Sequence, residues 1–285
     1  MEKRICTLLL TLCLTFTGIL LTSCTESASE VTPETTLAPP PDTIPETTPK
    51  TTAEELLRTA SEKFAALESY AAVKTTATSA TMAETTFDMV ETMDLKINRA
   101  TPVPTAFLRS ESSDSTGRLI WIDQYYDTDW VYRETHETNV NSATQYRYKQ
   151  DTSGSNHEFG FRDVLQALPA ELIADVKPMK NGDGSHTVSL TVPADAFVQI
   201  YSELAEEFSI MDEAKAGDAK VEIVVTKEGY YKEYKINFAV TGTVDGENAL
   251  LSVTVEIVFD NPGAPVEVTL PEGYEAFPTA QVRPD

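Results

Sequence analysis

The last third of this chain alternates between apolar and polar residues. Val221, Ile223 and Val225 form one apolar set, Tyr234, Ile236, Phe238 and Val240 a second, and Leu251, Val253, Val255, Ile257 and Phe259 a third. A period of two is what a strand shows when one face is buried and the other is wet. Lys227-Glu228-Gly229 and Asp245-Gly246 separate the three sets, and both are hairpin-turn sequences. Long neighbouring strands joined by short turns make an antiparallel meander. Such a meander presents a continuous apolar face, and the rest of the chain must cover it.

Upstream, Thr52 to Glu55 reads as a capping box, T-x-x-E, in which each side chain satisfies an orphan backbone donor. Leu56, Leu57, Ala60, Phe64 and Leu67 follow at helical spacing, which predicts an amphipathic helix over about 53–68. After Tyr70 the period falls to two. Strands are expected at Val73–Thr81, along Phe87, Met89, Met93, Leu95 and Ile97, and at Ala106–Ser112. Only Glu91 breaks the apolar face of the second. Pro102 and Pro104 mark a turn. Arg118–Tyr126 and Trp130–Glu134 read as a hairpin around Asp127-Thr128-Asp129, with a further strand at Tyr146–Gln150.

A helical pattern at Phe161, Val164, Leu165 and Leu168 ends near Pro169. Met179 and Thr187–Val192 flank the turn Asn181-Gly182-Asp183-Gly184. Pro193 opens a helix carrying Phe197, Ile200, Tyr201, Leu204 and Phe208. Val266–Leu270 is expected to be a closing strand before Pro271. The fold class is α+β: a curved antiparallel β-sheet with an N-terminal helix and two inserted helices packed on its concave face. Residues 52–285 form its single domain.

The N-terminus is of another kind. Lys3 and Arg4 precede an apolar run from Ile5 to Leu21, and Leu21-Thr22-Ser23-Cys24 follows. A charged start, a short apolar middle and a small-residue cleavage site describe a secretory signal peptide over 1–23. The run is too short for a membrane-spanning helix. The tetrapeptide resembles the bacterial lipoprotein lipobox. That resemblance implies cleavage before Cys24, a diacylglyceryl thioether on its sulfur and an acyl group such as palmitate on its amine. Cys24 is then a lipid anchor on the extracytoplasmic side of the bacterial cell membrane. Residues 25–51 are almost entirely Thr, Pro, Glu, Ser and Ala. They cannot bury enough surface to offset chain entropy. They read as a polyproline-biased tether of up to ~80 Å.

Charge and chemistry narrow the function further. The formal net charge is -23, which repels phosphate backbones and argues against nucleic acid as a partner. Cys6 and Cys13 lie in the signal and Cys24 is the anchor, so the mature domain is expected to lack disulfides and thiol chemistry. No nucleophile elbow, zinc helix motif, phosphate loop or dinucleotide fingerprint occurs. His136 and His157 each sit beside a glutamate, but adjacent strand residues point to opposite faces. These two and His186 receive no catalytic or metal role. Asn181–Ser185 resembles the start of a calcium loop but has Val192 where the twelfth-position Glu belongs, so it reads as a hairpin turn. No cofactor and no enzyme activity are assigned.

Two sets of residues remain as candidate sites. Trp121, Tyr125, Trp130 and Tyr132 are candidates for an aromatic surface, with Tyr126, Tyr146 and Tyr148 nearby. Phe87, Met89, Met93, Leu95, Val221, Ile223, Tyr234, Ile236, Phe238, Val253, Val255 and Ile257 are candidates for an apolar lining, the methionines suiting a deformable wall.

The lipobox, the polar tether, the capped helix ending in Leu67-Glu68-Ser69-Tyr70 and the Met- and Thr-containing strands together resemble a group of uncharacterised lipoproteins of Gram-positive bacteria. The terminal Val268-Thr269-Leu270-Pro271 also resembles the last strand of that group. The group is similar to the LolA/LppX-type lipoprotein-carrier fold. The resemblance covers roughly 52–275 and implies a strongly curved half-barrel wrapped around helices, with an apolar cavity for acyl chains. Two readings follow. In one the domain is a non-enzymatic binding module holding a lipid or other amphiphile. In the other its core is filled and its surface meets a protein of the cell envelope.

Overall fold

The computed structural model describes residues 51–279 apart from 84, 101–104, 116, 128, 140–141, 152–160, 162–164, 166 and 203–210. The signal, Cys24, the turn at Pro102 and Pro104, Thr128, His157, Val164, Leu204 and Phe208 lie outside the described residues.

Helix α1 spans Ala53–Ala65 and begins at Thr52, whose Oγ1 accepts from the Glu55 N–H. Glu54 and Glu55 occupy its first turn and Lys63 its last, matching the helix dipole at both ends. Leu56, Leu57 and Ala60 are buried along one stripe. Six strands follow: β1 Ser69–Met82, β2 Thr85–Asn98, β3 Thr105–Asp114, β4 Leu119–Tyr126, β5 Trp130–Asn139 and β6 Ser142–Asp151. Next come α2 Ala170–Ile173, β7 Met179–Lys180, β8 His186–Val192 and α3 Ala194–Ile200. The chain then runs through β9 Asp212–Ala216, β10 Ala219–Val225, β11 Tyr231–Val244, β12 Glu247–Asp260 and a 3₁₀ turn at Tyr274–Ala276.

All the strands form one open, antiparallel, 12-stranded sheet in the order β6-β5-β4-β3-β2-β1-β12-β11-β10-β8-β7, with β9 paired to β11 beside β10. Two meanders, one from each half of the chain, meet where β1 pairs β12, with Thr76 opposite Val255. The hairpin between β11 and β12 turns at Asp245 and Gly246, both at positive φ, the left-handed pair that a two-residue turn needs. The three described helices pack on one face. Phe64 of α1 meets Tyr70 at 5.0 Å and Phe259 at 5.4 Å, and Phe197 of α3 meets Phe238 at 4.7 Å. The buried core runs from Ala53 to Phe259. A chain beginning at Thr52 therefore contains all of the core found among the described residues.

Two elements differ from the sequence reading. The pattern at Phe161–Leu168 lies partly outside the described residues: the Leu165 N–H donates to Phe161 O at 2.7 Å, as in one helical turn, Ala167 and Leu168 are in no helix, and α2 starts after Pro169 instead of ending there. Proline disfavours helix in the residue before it and suits the start of one. Val266–Leu270 joins no ladder. Both edges of β1, the nearest candidate, are already taken by β2 and β12, and the Val266 N–H donates to Ser69 Oγ at 3.0 Å. Strand β9 carries only charged and alanine residues, and no periodicity predicts it.

Candidate functional site

A cleft of about 320 Å³ lies between α1, the segment before α2, α2 itself and the sheet. Its floor and far wall are apolar: Leu57 of α1, Leu165 and Leu168, Ile173 of α2, and Ile223, Tyr231 and Tyr234 of β10 and β11. Its charged groups, Glu54, Arg58 and Glu62, come with Ser61 from the outer side of α1. The sequence makes this division because α1 is amphipathic: Leu57 points to the sheet, while positions 54, 58, 61 and 62 run along its exposed flank.

Each polar group deeper in the cleft is already engaged. The Tyr234 and Tyr201 hydroxyls share a buried hydrogen bond of 2.8 Å. Ser61 stands beside Tyr231 and pulls its hydroxyl's value down against the effect of burial. Burial pushes the Tyr201 and Tyr231 hydroxyls up to about 12 and raises Tyr234 as well, so all three stay protonated under ordinary conditions. At the rim, Arg58 Nη1 lies 2.7 Å from Glu62 Oε1, both side chains well exposed.

Of the residues proposed from the sequence to line a cavity, Ile223 and Tyr234 line this cleft. Met89, Met93, Leu95, Val221, Ile236, Phe238, Val253, Val255 and Ile257 are buried in the core, and Phe87 packs against it half-buried. They share the helix-bearing face, as their register requires: Val253 faces Phe238, and Val255 faces Ile236.

Trp121, Tyr125, Trp130 and Tyr132 also share one face, the one opposite the helices. Tyr125 faces Tyr132 across β4 and β5, and Trp121 faces His136. Trp121 stacks flat on His136 at 4.5 Å, Tyr125 meets Phe107 at 4.9 Å, and Lys149 Nζ sits 5.3 Å from the Trp130 ring. Tyr132 is not a surface residue: it is 5% exposed. The C-terminal tail crosses it, with Tyr274 at 4.9 Å and Phe277 at 6.2 Å. The tail is held there by the Lys149 N–H donating to Pro278 O at 2.9 Å. Tyr126 and Tyr148 face the other way, with Gln124 and Arg133.

Sequence reasoning missed a polar half of the helix-bearing face. Lys74, Thr76 and Thr78 of β1, Glu91 of β2, Ser110 of β3 and Thr135 of β5 all point inward and are buried. Burial raises the Glu91 carboxyl, while Lys74 and the Ser110 hydroxyl pull it back down. Ser110 Oγ donates to Glu91 Oε1 at 3.1 Å. Glu91 was visible as a break in the β2 pattern. Lys74 was not, because its neighbour Val73 is the residue a pattern would place inside, and Val73 is 38% exposed.

The turn Asn181–Ser185 is a hairpin between β7 and β8, as read from the sequence. Lys232 and Ser185 hydrogen-bond to the Asp183 carboxylate and hold it well below the usual carboxylate range. Among the described residues no group of three or more His, Cys, Asp or Glu side chains is placed to hold a metal. None of the described helices is long and apolar enough to cross a membrane.

One family model covers residues 52–273. The chain belongs to DUF6612, a family of unknown function. No curated protein matches the sequence. The DUF6612 region opens on Thr52, the cap of α1, and takes in both meanders and every residue that lines the cleft. Tyr274 and Phe277, the tail residues that cover Tyr132, lie beyond it.

Proposed function

We propose that this DUF6612 chain is an extracytoplasmic lipoprotein, anchored by lipid on Cys24, whose domain is a non-enzymatic module holding the apolar part of a lipid or other amphiphile. The cleft between α1, α2 and the sheet carries this reading. It is apolar inside, its interior hydroxyls are paired among themselves, and its charges stand along one rim. An apolar tail is the group such an interior accepts, with the head left at the rim. Its volume of about 320 Å³ lies at the low end of the ~300–1,000 Å³ typical of small-molecule sites, which suits one tail. Each buried methylene contributes about 0.8 kcal/mol. An open antiparallel sheet with its helices on one face also accords with the LolA/LppX-type half-barrel that the sequence resembles.

A second reading, a filled-core module for an envelope protein partner, is favoured by one observation. Leu95, Ile236, Val255 and Ile257 are wholly buried in the core and do not line the cleft. Native mass spectrometry of residues 52–285, purified without detergent from a lipid-containing host, separates the two. A bound lipid mass that leaves on denaturation is expected. A clean apo mass that stays apo after incubation with lipid vesicles would overturn the carrier reading in favour of the partner-binding one.

A further inference from the structure

We propose that the cleft selects its amphiphile by head charge, taking cationic heads and excluding carboxylate and phosphate heads. The inference rests on the cleft reading above and adds the chemistry of the head.

The argument runs through the rim. Four polar residues line the cleft on the α1 side, and they hold two carboxylates and one guanidinium. That guanidinium, Arg58, is bonded to Glu62 at 2.7 Å. The other cation of the helix, Lys63, is turned away: its Nζ donates to Glu228 O and sits 4.7 Å from the Tyr230 ring. Ser61, beside Tyr231, is uncharged. Among the described residues, the remaining charge lining the cleft is the Glu54 carboxylate.

The helix dipole would favour an anion at this end, but the place is filled. Thr52 caps the Glu55 N–H, and Glu54 and Glu55 occupy the first turn. An anionic head entering here meets two carboxylates on a chain of net charge -23, and the Arg58 guanidinium within its reach already shares its charge with Glu62. A cationic head meets Glu54 directly.

Two single-tail probes test this, dodecyltrimethylammonium and dodecanoate, each titrated as monomer into residues 52–285 by calorimetry at low salt. The expected result is that the cation binds about tenfold tighter or more, as one close charge contact at a protein surface permits. Glu54→Gln should shrink that preference several-fold. Because Glu54 is exposed and outside the core, this variant should fold normally. Ala170→Trp should remove binding of both probes, since Ala170 is an exposed residue of the cleft wall and a large ring there fills the space.

Dodecanoate binding as tightly as the cation, with both lost in Ala170→Trp, would overturn the head selection and leave the cleft reading standing. A preference untouched by Glu54→Gln would trace it to the overall charge of the chain and overturn the assignment to the rim. Absence of any binding that Ala170→Trp removes would overturn the cleft reading itself and this inference with it.

Discussion

The hydroxyl pair of Tyr201 and Tyr234 shows how single atoms decide outcomes in this interior. Both rings are almost wholly buried and each hydroxyl is the partner of the other. Tyr201→Phe should cost about 1–3 kcal/mol, because it leaves the Tyr234 hydroxyl buried alone. The double Phe variant should cost less than the sum of the singles, and chemical denaturation reads both values. Glu91 makes a pH-dependent contribution. Burial raises its folded-state value above the ordinary 4.5. The folded state therefore binds the proton more tightly than the unfolded chain does. That contribution to stability is complete below about pH 4.5 and is lost as pH rises through the folded-state value. Glu91→Gln should remove it, so the melting-temperature difference, variant minus parent, should grow more positive from pH 4 to pH 7. A difference flat over that range would show that Glu91 is not held in this environment. The sequence flagged Glu91 as an interruption. It carried no sign that Lys74, Thr76 and Thr78 stand beside it inside, because alternation names two faces without saying which is inner.

At the scale of elements, the sequence was most legible where the period was strictest. Strands β10, β11 and β12, both of their turns and the capped helix α1 stand where the pattern put them, within a few residues at their ends. The reading was weakest where short apolar runs meet proline. Leu165 and Leu168 contribute side chains to the cleft, and Val266–Leu270 has strand composition but lies beside β1, both of whose edges are taken. Face assignment can be tested on β12, where Val255 is fully buried and Val258 is 45% exposed. Val255→Asp should unfold the domain, since an uncompensated buried charge costs more than a marginally stable domain can bear. Val258→Asp should change stability by no more than about 0.5 kcal/mol. Circular dichroism of the two variants checks the pair, and equal stability would mean the faces are reversed.

At the scale of the whole molecule, one sheet joins the two ends of the domain. Strand β1 follows the first helix and lies against β12, the last strand. The sheet edges are modest: β7 has two residues, and Pro278 and Thr279 of the tail reach Lys149 on the β6 edge. Short or covered edges limit unwanted strand pairing. Cys24→Ala should move the protein out of the membrane fraction or leave an uncleaved precursor there, read by fractionation and intact mass. A processed form of unchanged lipid mass would sink the anchor. Sequence alone determined the antiparallel, α+β character of this protein, its capped helix and the apolar faces of its final meander, because these follow from local period and turn chemistry. Tertiary structure alone decided that β1 meets β12, that Lys74 is inside and Val73 outside, that the tail covers Tyr132, and that an apolar cleft opens beside α1. Each of these depends on which distant segments are packed together, and no periodicity within a single segment records that.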